Sequence, residues 1–287
     1  MIEVIHPGWI STIQDQGRWN TLHLGVPIGG AMDQEAFQLA NALLNNSQED
    51  AVIEMSYIGA HLKFHQDTLI CITGADMDPK LNGKKIPNNK AIAIKEGDQL
   101  KCTHAVNGCR AYLGVYGGIQ TEMLLGSKSQ AKGITRSSKL AKKNILPIVT
   151  SSTKPSRFAH IAFKKQYESF CDIKVYPGPE YDELSPAAIQ ALTQSSFTIS
   201  KNNDRMAYCL NEKIVSPAST IWTSPVLPGT VQLTPDGTLL ILMRDAQVTG
   251  GYPRILQLSD EAMNCLAQKT TSNQIRFILT PVNDVKG

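Results

Sequence analysis

Five consecutive apolar residues, Leu239-Leu240-Ile241-Leu242-Met243, run straight into Arg244-Asp245-Ala246-Gln247-Val248-Thr249 and then Gly250-Gly251-Tyr252-Pro253-Arg254. The apolar run predicts a buried strand. Asp245 and Gln247 stand two apart, which on a strand or extended loop puts both on one face. The two glycines permit positive φ and leave backbone N–H groups open to a ligand. Pro253 fixes φ and ends the turn. A carboxylate, an amide and a hydroxyl delivered to bare N–H groups can orient a small polar molecule. A plain β-turn with solvated polar residues fits the same composition.

The rest of the chain must supply a frame for this stretch. Its 287 residues are enough for two domains, and 42% apolar with 18% charged residues predicts a packed core. The net charge is +3 and no Lys/Arg-rich run stands out, so neither nucleic acid nor an acidic membrane surface is an expected partner. No signal peptide and no apolar window long enough for a membrane span are read from the sequence, so a cytoplasmic location is expected. Cys71, Cys102, Cys109, Cys171, Cys209 and Cys265 form no C-x-x-C pair and are expected as reduced thiols, mostly in the core. His61 and His65 sit four apart on an expected strand with no third ligand nearby, so no metal is expected.

Short strands and tight turns dominate the pattern. Strands are expected at 2–5, 68–73, 91–94, 110–116, 172–176, 197–200 and 274–280. Asn82-Gly83 predicts a type I′ hairpin. Asp33 precedes Ala36, Phe37, Ala40, Leu43 and Leu44 at helical spacing and reads as an N-cap. Ser185-Pro186 and Ser259 open two further short helices. Six basic residues between Lys128 and Lys143 read first as a solvated mobile loop, second as a lid that attracts a carboxylate. The expected division is 1–150 and 151–287, with the connection in the Pro- and Ser/Thr-bearing stretch 144–158.

Several polar loops carry specific patterns. These are Gln14-Asp15-Gln16-Gly17-Arg18, Gly25-Val26-Pro27-Ile28-Gly29-Gly30-Ala31-Met32-Asp33, Gly178-Pro179-Glu180-Tyr181-Asp182, Asp204-Arg205-Met206 and Asp245-Ala246-Gln247-Val248-Thr249-Gly250-Gly251-Tyr252-Pro253. In that order they resemble the biotin-dependent carboxyltransferase family, which includes allophanate hydrolase subunit 2, the carboxyltransferase part of urea amidolyase and the C subunit of ATP-dependent 5-oxoprolinase. Ala51-Val52-Ile53-Glu54 resembles a strand of that family and Gly74-Ala75-Asp76 one of its turns, while Gly29, Val248 and Cys209 depart from the family's serine, threonine and arginine.

The resemblance implies a mostly β fold of two cyclophilin-like β-barrels with a few short helices. It also implies a dependent role. The length is similar to that of the 5-oxoprolinase C subunit, which works with subunits A and B, the B subunit being the direct partner. ATP is then used at the level of the complex. Biotin is a further cofactor of the family, but this chain has no biotin-accepting Met-Lys-Met, no P-loop and no hydrolase triad. A urea-like acceptor with a biotinyl carrier, or regulatory binding of a kinase inhibitor related to the B subunit, are the alternative roles. The expected catalytic residues are Asp245, Gln247, Thr249 and Tyr252. Gly250 and Gly251 are expected to stabilise developing negative charge. Asp33, Asp15, Arg18, Asp204 and Arg205 are expected around the substrate, where Arg18 and Asp15 can pair across Gly17, and Arg205 or Arg18 can clamp a carboxylate. The motif loops of the two halves are expected to share one site.

Overall fold

The computed structural model describes residues 1–150, 159–161, 165–215 and 220–281. By internal contact the chain divides into two units. The first joins Met1–Trp19 to Gly29–Tyr167, and the second joins Asn20–Ile28 to the chain from Glu168 onward. The mostly β reading holds, with three short α-helices among the described residues.

The first unit is built from two antiparallel sheets. One runs Ile145–Leu146, Ile2–His6, His61–Phe64, Gln99–Lys101, Lys80–Leu81, Lys84–Lys85. The other runs Ile10–Gln14, Val52–Ser56, Asn107–Val115, Thr68–Asp76, Ile92–Ile94. Alternation along each strand sends one face inward. Ile2, Val4, Leu62, Phe64 and Leu100 from the first sheet meet Ile13, Ile53, Ile70, Ile72 and Leu113 from the second in one core. Helix α1 (Gln34–Ala42) covers the outer face of the second sheet, burying Ala36, Phe37 and Ala40 against Val52 and Tyr112. The hairpin at Asn82-Gly83 forms as expected, with both residues at positive φ.

Two expectations change here. Gly74-Ala75-Asp76 is not a turn but the end of the strand Thr68–Asp76. Gly74 adopts φ 76°, and the pairing slips between Asn107 and Ala111 opposite it. The glycine therefore makes a bulge, which a sequence pattern cannot tell from a turn. The basic stretch 128–143 is not a mobile loop at its backbone. Gln130 N donates to Ile13 O, Leu140 N to Ser11 O and Lys143 N to Val4 O, and Leu140 is buried in the core. Its basic side chains at Lys132, Arg136, Lys139, Lys142 and Lys143 do face solvent, as expected. Part of the expected connection, 151–158, lies outside the described residues, while Ile145–Leu146 pairs with Ile2 and Glu3 in the first unit.

The second unit is a closed barrel. Its strands run Phe170–Pro177, Arg254–Leu258, Thr230–Leu233, Thr238–Leu242, Ala207–Lys213, Phe197–Asn203, Gln274–Leu279 and back to the first. The closing pair, Phe170–Pro177 with Gln274–Leu279, is parallel. Closure leaves the barrel without a free edge. Helix α2 (Pro186–Gln194) is capped by Ser185, whose side chain accepts from Ala188 N, and α3 (Asp260–Leu266) by Ser259, which accepts from Ala262 N. No helix among the described residues is long and apolar enough to cross a membrane.

Candidate functional site

The apolar run ends where expected, in the barrel strand Thr238–Leu242. Asp245 then sits in a turn rather than on the strand. Its carboxylate is held by Arg205 through two parallel bonds, Nε to Oδ2 and Nη2 to Oδ1, both 2.8 Å, while Asp245 N donates to Arg205 O at 2.9 Å. The two side chains are only 22% and 16% exposed, so the pair is partly desolvated. Arg205, expected to clamp a substrate carboxylate, clamps Asp245 instead. Asp204 shapes the approach: its Oδ1 accepts from Met206 N at 2.7 Å and Ala207 N at 3.1 Å. The three residues of the Asp-Arg-Met motif thus divide into a turn former, an ion-pair partner and an exposed side chain.

The turn beyond is stiffer than its glycines suggest. Thr249–Gly250 forms a short ladder with Ser224–Pro225, and Gly251 O accepts from Ile221 N at 3.1 Å. Neither Gly250 nor Gly251 has positive φ. Gly250 serves close approach instead: a Cβ there would stand 2.5 Å from Nε2 of Gln232, whose amide would have to shift. Gln232 is fully buried, and its Nε2 donates to Tyr252 O at 3.3 Å. Thr249 and Tyr252 are exposed, with Tyr252 at 38%. Gln247 Oε1 is buried and has no hydrogen-bond partner among the described residues.

Arg254 closes the signature from the other side. It makes a bidentate pair with Glu180, Nε to Oε2 at 3.0 Å and Nη2 to Oε1 at 2.7 Å, and its backbone N donates to Oε2 at 2.7 Å. The guanidinium holds the Glu180 carboxyl below the usual carboxylate range. Gly178 lies so near this strand that a Cβ would stand 2.1 Å from Arg254 O. The Gly-Pro-Glu loop is therefore the bracket of the Gly-Tyr-Pro-Arg turn.

In the first unit Asp15 and Arg18 are both buried. The Asp15 carboxylate accepts from Ser127 Oγ and Ser129 Oγ at Oδ1, from Gly17 N at Oδ1, and from Lys128 N at Oδ2. Arg18 donates to Ser129 O. The structure thus brings the Gln-Asp-x-Gly-Arg loop together with residues 127–129. Asp33 is the N-cap of α1, accepting from Ala36 N at 3.0 Å, while its own N donates to Tyr112 Oη at 2.8 Å. Met32 N donates to the buried Glu54 carboxylate at 2.8 Å. Burial, then the negative charges of Glu54 and Asp33, push the Tyr112 hydroxyl well above its ordinary range. Asp33 also lines a cleft of about 360 Å³ with Glu35, Asp76, Asn107 and Lys165. Among the described residues no group of three or more His, Cys, Asp or Glu is arranged to hold a metal ion.

Sequence reasoning misses the partners Glu180, Arg254, Gln232, Glu54 and Tyr112. Gln232 and Glu54 carry a signal: each is flanked on both sides by apolar residues within its strand, and a polar residue so placed is usually buried with a partner.

Residues 24–279 match the carboxyltransferase domain, subdomains A and B, and the chain belongs to that family. It is 30% identical over 284 residues to the C subunit of 5-oxoprolinase from Escherichia coli, covering 97% of this chain and 91% of that protein. It is 40% identical over 129 residues to urea amidolyase of Saccharomyces cerevisiae, covering 45% of this chain and 7% of that much longer protein. The crystal structure of Kluyveromyces lactis urea carboxylase superposes with a TM-score of 0.86 at 25% identity, covering 97% of this chain and 27% of that one.

Proposed function

We propose that this chain is the C subunit of an ATP-dependent 5-oxoprolinase and, with subunits A and B, opens 5-oxo-L-proline to L-glutamate. The observation that carries the reading is likeness to the 5-oxoprolinase C subunit across nearly the whole of both chains. ATP belongs to the complex and supplies phosphoryl activation there. This chain's part is to bind and orient. A lactam presents one N–H donor and one carbonyl acceptor. Asp245, fixed by Arg205, accepts the N–H through a lone pair that the guanidinium leaves open. Thr249 Oγ1 and the Tyr252 hydroxyl, both exposed, donate to the carbonyl oxygen as it gains charge. The ureido ring of biotin presents a carbonyl flanked by two N–H donors, so one of its N–H and carbonyl edges suits this residue set as well.

The second reading is a carboxyltransferase acting on a urea-like acceptor with a biotinyl carrier, favoured by the 40% identity to urea amidolyase over part of the chain. Glutamate release from 5-oxoproline and ATP decides between them, with the chain co-purified with candidate subunits A and B and each omitted in turn. Turnover should require this chain and fall at least about 100-fold in Asp245→Asn, the scale of losing one preorganised polar group. Asparagine keeps one acceptor oxygen for Arg205, and Asp245 N still donates to Arg205 O, so circular dichroism should be unchanged. Full activity in the variant would remove Asp245 from the reaction. No turnover from an assembled wild-type complex would favour the urea-type reading.

A further inference from the structure

Leu124 and Ser127 exchange both backbone hydrogen bonds, at 2.8 and 3.2 Å, around Leu125 and Gly126. Leu125 has φ 52° and Gly126 φ 78°. Positive φ at both central residues makes a type I′ turn, whose first position ordinarily holds Asn, Asp or Gly. A Cβ in that left-handed conformation crowds the backbone carbonyl, and leucine has no side-chain polar atom to compensate. Packing among the described residues covers the tip only in part. Leu125 is 42% exposed, Leu124 37% and Met123 61%. Trp19, 62% exposed, lines a hollow of about 240 Å³ together with Met123 and Gly126.

The base of this hairpin is firmly anchored. Ser127 and Ser129 are buried and bonded to the Asp15 carboxylate, which also accepts from Lys128 N. Lys128 Nζ donates to Ile119 O and Gln120 Oε1 at 3.1 and 3.2 Å. An apolar tip on a rigid base, held in a conformation its own residue disfavours, is preorganised to fill a pocket on something else. Trp and Met are enriched at protein interfaces, where Trp above all supplies the central anchors, and an exposed apolar cluster of this kind marks an interaction site.

We propose that residues 123–126, with Trp19 beside them, form a docking knob for a different polypeptide of the complex, one offering an apolar socket with basic side chains at its edge. This rests on the reading of the chain as a member of a complex. The charge follows from the hollow's wall, which carries the carboxylates of Glu49 and Asp50, while its Lys128 ammonium is already engaged. A two-fold contact between copies centred on the knob would set these acids against their own kind, whereas a basic edge complements them.

Leu125→Gly separates docking from folding, because glycine accepts φ 52° without strain. The isolated variant should melt at or above the wild-type temperature. Its affinity for candidate 5-oxoprolinase subunits A and B, by titration calorimetry, should fall at least about tenfold, the scale of losing one interface anchor, and Trp19→Ala should weaken it further. Wild-type binding that Leu125→Gly leaves unchanged overturns this inference alone. No wild-type binding removes the proposed place in the complex and the inference with it. A homodimer that Leu125→Gly dissociates, by light scattering, overturns the assignment to a different chain.

Discussion

Asp15 and Asp245 look alike in the sequence, each an aspartate in a polar motif loop, yet their surroundings divide them. Asp15 is fully engaged inside the protein: two serine hydroxyls and two backbone N–H groups fill its carboxylate. Asp245 is held by one guanidinium and stays partly exposed. No spacing rule distinguishes the two, because the serines that fill Asp15 lie more than a hundred residues away. Glu180 carries a consequence at the same scale. Arg254 lowers its folded pKa below the unfolded value of about 4.3. The pair therefore stabilises the protein above that pH, and its contribution is lost as pH falls through the folded pKa. Glu180→Gln should destabilise the chain at neutral pH while making its stability less steep in acid, read from urea midpoints across the acid range up to neutrality. Wild-type and variant curves that stay parallel would show the pair has no such linkage.

Elements are more legible than partnerships. The caps at Asp33, Ser185 and Ser259, the Asn82-Gly83 hairpin and the strand before Asp245 all follow from local chemistry and all form. The misses have a common cause. Gly74 as a bulge, Gly250 as the floor above Gln232, and the tethered backbone of 128–143 each depend on a neighbour distant in sequence. A glycine can serve φ or proximity, and only the fold says which. Gly178 serves proximity. Gly178→Ala should force the loop 177–180 off the Arg254 strand, since the clash is with backbone that has no rotamer to escape into. A loss on the order of 2–3 kcal/mol is expected from such overpacking, with the Arg254 backbone amide losing its hydrogen-exchange protection first. A variant that melts like wild type would mean the strand can shift at little cost.

For the whole chain, the division into two units is the feature with the widest reach. The second unit includes Asn20–Ile28, which precedes most of the first unit in sequence. A fragment beginning at Glu168 therefore lacks a piece of its own unit. It should melt lower than the same fragment supplied with a peptide of residues 20–28, since a ligand of the folded form raises stability by mass action. No shift at saturating peptide would show that the segment adds nothing to the barrel. The mostly β class is readable from short strands and regular turns. The exchange of this short segment is not, because nothing in its composition marks it as belonging elsewhere.

The barrel closes through Phe170–Pro177 beside Gln274–Leu279, the first and last of its strands in chain order. On a ribosome, where chains fold from the N-terminal side as they emerge, that seam cannot zip until the last strand is out. Until then the first strand is an unsheltered edge, and residues 20–28 have been waiting longer still. The barrel of a nascent chain therefore stays open while every residue between its first and last strands is made, and the moment at which it is sheltered from aggregation is set by the last of its strands rather than by the many residues already made.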